Sequence, residues 1–199
     1  MSQETHTIYF IRHGLTYQNL RREYQGSVLD YDILPESRLL IEQRQKRGAA
    51  PFIRTLWVSP LIRARQTAEL YFPGMDKEIV PDLMEREYGD WNGRPHDDLW
   101  PSVPFYVEMM RSLGRRTPPG GEPFDLFFAR MKRVMDAIEE LAGKSPGRFP
   151  LALVFHGGPI LYLTDHLLEE DNPLHRYYTK GAGGLRLEIS TEPLRVTEA

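Results

Sequence analysis

Cysteine is absent from the 199 residues, which excludes disulfides and thiolate metal sites. No apolar run approaches the ~20 residues that a membrane-spanning helix requires. The N-terminal stretch MSQETHTIYFIR has neither a basic n-region nor a long apolar h-region, so the reading is that the chain carries no secretory signal. Positive charge is not in excess either. The formal net charge is -3, whereas a nucleic-acid footprint calls for a basic domain or stripe. The short run of Arg44, Lys46 and Arg47 reads as a solvated helix face. By elimination the expectation is a cytoplasmic protein with no membrane and no nucleic acid among its partners.

What is present is an ordinary globular composition. Charged residues make up 27% of the chain, against about 25% in typical soluble domains. The length suits one domain, residues 1–199, better than two.

Three short apolar runs read as buried parallel strands: Ile8–Ile11, Thr55–Val58 and Leu151–Phe155. Glu78–Val80 is a candidate further strand. Leu185–Ile189 alternates apolar and charged residues as a half-exposed edge strand would. Pro60 after Ser59 predicts a helix with Ser59 as its N-cap, running to about Tyr71. A longer helix is predicted from about Pro123 to Leu141, with Phe124, Phe127, Phe128, Met131, Val134, Met135, Ile138 and Leu141 at helical spacing. A third follows Pro159 and uses Ile160, Leu161, Leu163, Leu167 and Leu168, while 14–22 and 36–47 are further candidates. Strands alternating with helices predict an α/β fold, a three-layer α/β/α sandwich around a mainly parallel sheet. The Pro- and Gly-rich stretch 88–123 interrupts the alternation and reads as an insertion over one end of the sheet, above the active site.

The chemistry gathers at the carboxyl ends of the three apolar strands. Arg12-His13-Gly14 follows the first, Ser59 to Arg63 the second, and His156-Gly157-Gly158 the third. In open α/β sheets such ends line the ligand crevice. If the strands are parallel neighbours, Arg12, His13, Arg63 and His156 converge there, and helix starts aim free N–H groups at the same place. Two guanidiniums, two imidazoles and helix N-termini suit a phosphoryl group. One imidazole can attack phosphorus and carry a covalent intermediate. Taken alone, His156 reads as a histidine satisfied at a strand end and Arg63 as a surface residue; their coincidence at strand-to-helix junctions favours the catalytic reading. A metal site of His13, His156 and Glu85 is the competing arrangement, but two arginines in the same pocket would repel a divalent cation. The expectation is therefore no metal and no cofactor.

At these residues the sequence resembles the histidine phosphatase superfamily, also called phosphoglycerate mutase-like. The matching stretches are Ile11–Thr16 with Asn19, Gln25-Gly26, Ser59–Glu69, Leu83–Gly93, Pro119–Glu122 and Val154–Gly158. The resemblance implies that His13 is the nucleophile. It implies that Arg12, Arg63 and His156 hold the phosphoryl oxygens, assisted by Asn19 and the Gly157 backbone N–H, and that Gly14, Thr16, Gln25 and Gly26 belong to the binding surface. It implies that Glu85 donates and accepts the proton, a role the sequence alone does not distinguish among Glu85, Glu87 and Asp90. It further implies a small phosphorylated substrate and leans towards a homodimer.

The sequence departs from the family at several points. Ser27 to Ser37 replaces the usual Asp, Pro-Leu-Thr turn and Gly, Asn92 follows Trp91 where Glu is common, and Pro123 stands where Ser usually follows Gly-Glu. No catalytic group is removed, but assignment of a substrate by analogy is weakened. Ribazole, sugar and protein phosphatase activities all fit. The phosphatase branch is favoured by Trp91 and Pro119–Glu122. A cofactor-dependent phosphoglycerate mutase, with Arg115-Arg116 on a substrate carboxylate, is the runner-up, and a non-catalytic phosphate-binding module is the third reading. Trp91, Arg94, Trp100, Phe105 and Tyr106 read either as substrate contacts or, with more weight, as the insertion's own small core.

Overall fold

The computed structural model of the chain describes residues 5–112, 115–167, 181–191 and 194–198. Among these, six strands form one sheet: β1 (Thr5–Arg12), β2 (Thr55–Val58), β3 (Glu78–Ile79), β4 (Leu151–Phe155), β5 (Gly184–Thr191) and β6 (Leu194–Glu198). Their order is β3-β2-β4-β1-β5-β6. The pairings of β3 with β2, β2 with β4 and β4 with β1 are parallel, and β5 and β6 complete the sheet in antiparallel pairings.

Seven helices among the described residues accompany the sheet: α1 (Tyr17–Leu20), α2 (Pro35–Lys46), α3 (Ile62–Tyr71), α4 (His96–Leu99), α5 (Pro104–Arg111), α6 (Phe124–Lys144) and α7 (Gly157–Leu167). On one face, Phe10, Leu151, Leu153 and Phe155 pack on Phe127, Met131, Val134 and Ile138 of α6 and on Ile160 and Leu163 of α7. On the other, Leu56, Val58, Ala152 and Val154 meet Ile41 of α2 and Ala64 and Ala68 of α3. Every residue of β2 and β4 is buried, which is why both read as unbroken apolar runs. The result is a mixed α/β fold in three layers.

Several predicted boundaries move, each for a local reason. The helix after β2 begins at Ile62 with Leu61 as its cap residue, not at Pro60 after Ser59. The Ser59 hydroxyl accepts only a long bond from the Leu61 N–H, at 3.4 Å, and lies closer, 2.7 Å, to the Nε2 of His156. The helix near residue 14 is confined to Tyr17–Leu20, because Thr16 caps it through a reciprocal box with Asn19 and Arg22 leaves with φ of 55°. The helix expected after Pro159 begins two residues earlier, at Gly157; Leu168 lies outside the described residues. Residues 185–189 are not an edge strand. They lie within β5, between β1 and β6. The alternation is nonetheless real: Leu187 and Ile189 face the α6 layer, while Arg186 and Glu188 lie on the opposite side and pair with each other at 2.8 Å.

The stretch 88–123 builds α4, α5 and a 3-10 turn over Gly89–Trp91. Trp91, Leu99 and Tyr106 are buried together as a satellite cluster, with Tyr24, Tyr88 and Val103 against it. Trp100 and Phe105 are 40% and 37% exposed, the Phe105 ring lying 6.1 Å from that of Trp91, so the reading of these aromatics as a local core holds for Trp91 and Tyr106 and only in part for the other two. Arg94, Arg115 and Arg116 are exposed, and Arg116 pairs with Glu108.

Candidate active site

Register brings the candidate groups to one end of the sheet. Arg12 of β1 pairs with Phe155 of β4, and Val58 of β2 with Val154. His13 therefore stands level with His156 where the chain leaves the sheet, and Ser59, one step behind on β2, is level with Phe155. The bridging main-chain bonds are His13 N–H to the Phe155 carbonyl at 3.0 Å and Ser59 N–H to the Val154 carbonyl at 3.0 Å. The rings of His13 and His156 lie 5.1 Å apart, centroid to centroid.

The His13 ring is buried, and its Nδ1 lies 2.7 Å from the Gly14 carbonyl oxygen. A carbonyl only accepts, so Nδ1 carries the proton and Nε2 keeps its lone pair. Burial, then the charges of Arg63 and Arg12, hold the His13 imidazole well below its ordinary value of 6.5. His156 is depressed in the same direction by burial, then by Arg63, His13 and Arg12. Its Nδ1 is buried without a hydrogen-bond partner among the described residues.

Arg63 is wholly buried on the first turn of α3. Its Nη1 donates to the Leu29 carbonyl at 2.7 Å and lies 3.7 Å from the Asp30 carboxylate. Its Nη2 is 3.5 Å from the carbonyl oxygens of both Gln25 and Gly26, while Nε is buried and unpartnered among the described residues. The 25–30 loop thus fixes the guanidinium from behind. Glu87 in turn holds that loop, accepting from the Ser27 hydroxyl and the Val28 N–H at 3.0 Å each. Burial opposes ionisation of Glu87, but the N–H groups of Val28 and Gly89 and the side chains of Asn92 and Ser27 hold it below its ordinary value.

Glu85 lies on the loop after the 3-10 turn Pro81–Leu83, with its carboxylate at the start of α7. It accepts from the backbone N–H of Arg86 at 2.8 Å and of Gly158 at 3.2 Å. A Cβ at Gly158 would collide with this carboxylate, so the approach needs glycine there. Burial raises the Glu85 carboxyl above its ordinary 4.5 in spite of those two N–H groups and the charges of Arg63 and Arg12. Burial, and then the charge of Glu85, likewise push the Tyr88 hydroxyl up.

The structure thus gathers Arg12, His13, Arg63, Glu85, His156 and the opening turn of α7. Gly157 stands at the first position of that helix, where an N–H has no intrahelical acceptor. The other expected residues serve the walls. Thr16 and Asn19 cap α1, and the Thr16 hydroxyl donates to the Gln25 amide oxygen at 3.0 Å. The Asn19 amide oxygen is taken up by the Thr16 N–H at 3.0 Å. Gly14 presents its carbonyl to His13 and donates its N–H to the Thr67 hydroxyl at 2.8 Å. Gly26 donates to the Asn92 side chain at 2.8 Å.

Two supporting residues escape the sequence reading. Ser59 reads as a helix cap there, although a hydroxyl directly after a wholly apolar strand is the available signal. Thr67 lies one helical turn after Arg63, whose carbonyl it bonds at 2.7 Å while accepting from Gly14. Only the three-dimensional approach of β1 to α3 reveals that second contact.

Known proteins share this arrangement of elements. The chain is 30% identical over 168 residues to the adenosylcobalamin/alpha-ribazole phosphatase of Salmonella typhimurium, covering 81% of this chain and 79% of that protein. The solved mycobacterial glucosyl-3-phosphoglycerate phosphatase matches with a TM-score of 0.78 at 23% identity over 98% of this chain and 97% of its own, a likeness of fold. The phosphoglycerate mutase of Thermus thermophilus matches with a TM-score of 0.70 at 26% identity over 96% of each chain. The sequence profile of the histidine phosphatase superfamily, branch 1, spans residues 8–191, from β1 to the end of β5, and takes in every group that converges on the pocket. With profile, fold and a 30% identical relative in agreement, the chain belongs to the histidine phosphatase superfamily, branch 1.

Proposed function

We propose that the protein is a phosphomonoester hydrolase that carries the phosphoryl group on His13 and takes a small phosphorylated metabolite as substrate, without a metal. The observation that carries this reading is the Nδ1 contact of His13 with the Gly14 carbonyl at 2.7 Å. It leaves the Nε2 lone pair as the nucleophile, on an imidazole that burial and two arginines keep neutral. The names of the phosphatase relatives, one acting on alpha-ribazole and one on glucosyl-3-phosphoglycerate, support the metabolite class.

The substrate phosphate docks against the guanidiniums of Arg12 and Arg63, which supply the charge neutralisation the transition state needs. In this reading the Ser59 hydroxyl donates a hydrogen bond to His156 Nε2, so the single N–H of neutral His156 sits on Nδ1 and donates to a phosphoryl oxygen. His13 Nε2 attacks phosphorus as the ester P–O bond breaks, and the proton of Glu85 passes to the leaving oxygen. The raised Glu85 carboxyl suits that task, since it keeps its proton to higher pH than an ordinary glutamate. Water then attacks the phosphohistidine, Glu85 takes its proton, and the P–N bond breaks to release phosphate and neutral His13.

The test is hydrolysis of p-nitrophenyl phosphate with and without EDTA, beside His13→Ala. Hydrolysis that resists EDTA and vanishes in the variant is expected. Loss of activity in EDTA would sink the metal-independent reading, and wild-type turnover by His13→Ala would sink the phosphohistidine. The likeness to the Thermus mutase favours one second reading, transfer of the phosphoryl group to another substrate molecule instead of to water. Turnover of 3-phosphoglycerate with 2,3-bisphosphoglycerate, and none of p-nitrophenyl phosphate, would select it.

A further inference from the structure

Arg130 is nearly buried on α6, on the side of the helix that carries the apolar core. Its Nε and Nη2 donate to the two carboxylate oxygens of Glu122 at 2.7 and 2.8 Å. Its Nη1 donates to the backbone carbonyls of Asp82 and Met84 at 2.8 and 2.7 Å. The guanidinium also lies 4.8 Å above the Phe127 ring. Glu122 continues the grip: its N–H donates to the Glu87 carbonyl at 2.9 Å, and its own carbonyl accepts from Arg86 Nη2 at 3.3 Å. Together the pair holds the chain at residues 82, 84, 86 and 87, while Glu85 in the middle makes none of these contacts. Its carboxylate is turned the other way, towards Gly158 and the pocket.

We propose that Arg130 and Glu122 are positioning residues for Glu85, fixing the distance between its carboxyl and the leaving oxygen. The proposal rests on the reading of Glu85 as proton donor. A buried ion pair of this kind is weak evidence of a purely stabilising role, because desolvation offsets much of its attraction. What the geometry provides is placement: four donated hydrogen bonds from one planar group, two on each side of the clamp. General acid catalysis depends on the acid lying within hydrogen-bond reach of its target, so loosening the clamp weakens proton donation before it weakens phosphate binding.

The experiment compares two leaving groups. p-Nitrophenolate departs as a stable anion and needs no proton, whereas an alkyl alkoxide does, and kcat/KM reports the step that forms the phosphoenzyme. Glu85→Gln, Arg130→Lys and Glu122→Gln are each assayed with p-nitrophenyl phosphate and with a simple alkyl phosphate, folding being followed by circular dichroism and thermal melting. Glu85→Gln is expected to lose on the order of a hundredfold on the alkyl ester and far less on the aryl ester. Arg130→Lys and Glu122→Gln are expected to show the same selective loss in smaller measure, with KM for p-nitrophenyl phosphate little changed. Equal losses on both esters, or no loss, in either clamp variant while Glu85→Gln remains selective would overturn the clamp alone. An unselective Glu85→Gln would overturn the reading of Glu85 and the clamp with it. A clamp that cannot be loosened even by Glu122→Gln without unfolding is structural, and that result also overturns the proposal.

Discussion

His13 and His156 stand at the ends of strands whose register is set by main-chain hydrogen bonds, whereas Glu85 rides on a loop gripped by the side chains of Arg130 and Glu122. The first kind of placement is built into the sheet and comes with a buried apolar core on both faces. The second depends on a few charged contacts drawn from α6 and from the far end of the 88–123 stretch. A nucleophile and an oxyanion cradle need fixed separations from one another. If Glu85 is the acid, as proposed, its reach to the departing oxygen is set by those side-chain contacts and not by the sheet.

Substitutions can break this contrast, and the largest effect is expected at the sheet end. His13→Ala should bring p-nitrophenyl phosphate hydrolysis to background and abolish any acid-labile phosphoenzyme, as measured by trapping labelled phosphate on the protein. Glu85→Gln should leave phosphoenzyme formation from aryl esters largely intact, while cutting kcat/KM for alkyl esters on the order of a hundredfold. It should also remove the alkaline limb of the kcat/KM pH profile for alkyl esters. In the wild type that limb lies above 4.5, because burial raises the carboxyl, and the acid limb lies below 6.5, because His13 resists protonation. A wild-type acid limb at or above 6.5 would contradict the described burial of His13.

A smaller effect is expected from Ser59→Ala, which strips His156 Nε2 of its partner at 2.7 Å. Leaving a buried polar atom unsatisfied costs about 1–3 kcal/mol, readable as a lower melting temperature. Weaker inhibition by inorganic phosphate should accompany it, whereas Ser59→Thr, which keeps the hydroxyl, should recover part of both. The smallest effect concerns stability against pH. The unfolded chain protonates His13 and His156 near 6.5 while the native rings stay neutral, so stability is full above that pH and falls as pH drops towards the depressed native values. Glu85 acts in the opposite sense: its contribution is full below 4.5 and is lost as pH rises through its raised native value. Melting curves from pH 7 to 5 should show the histidine loss, and His13→Ala should reduce it.

The same contrast governs what can be read from the sequence. Strands β2 and β4 announce themselves as apolar runs because both faces are covered, and β1 carries the shorter run Ile8–Ile11, so pattern alone places Arg12, His13 and His156 at their ends. Glu85 sits in a loop with no periodicity, and its role comes from family resemblance. Arg130 is a lone cation on the buried side of α6, and its partners lie at residues 82, 84 and 122, beyond the reach of any local pattern. The error at β5 has a similar origin. An alternating strand looks like an edge strand, yet its outer neighbour β6 is separated from it in sequence by only a short connection and carries no strong signal of its own.

The bond from the Glu122 N–H to the Glu87 carbonyl, and the seating of Gly89, at φ +56°, against the backbone of 119–121, close the 88–121 stretch at its neck. Glu85 lies before that neck and Arg130 after it. The stretch is pinned again where the His96 N–H meets the Arg22 carbonyl, where the Asn92 side chain takes the Gly26 N–H at 2.8 Å, and where the Arg116 carbonyl accepts from Arg86 at 2.9 Å. Doubling the length of such a closed loop costs only about 0.6 kcal/mol in chain entropy. The neck thus works as a clasp: chain added between its two sides lengthens a loop that is already shut, at little cost to the register of the residues on either side of it.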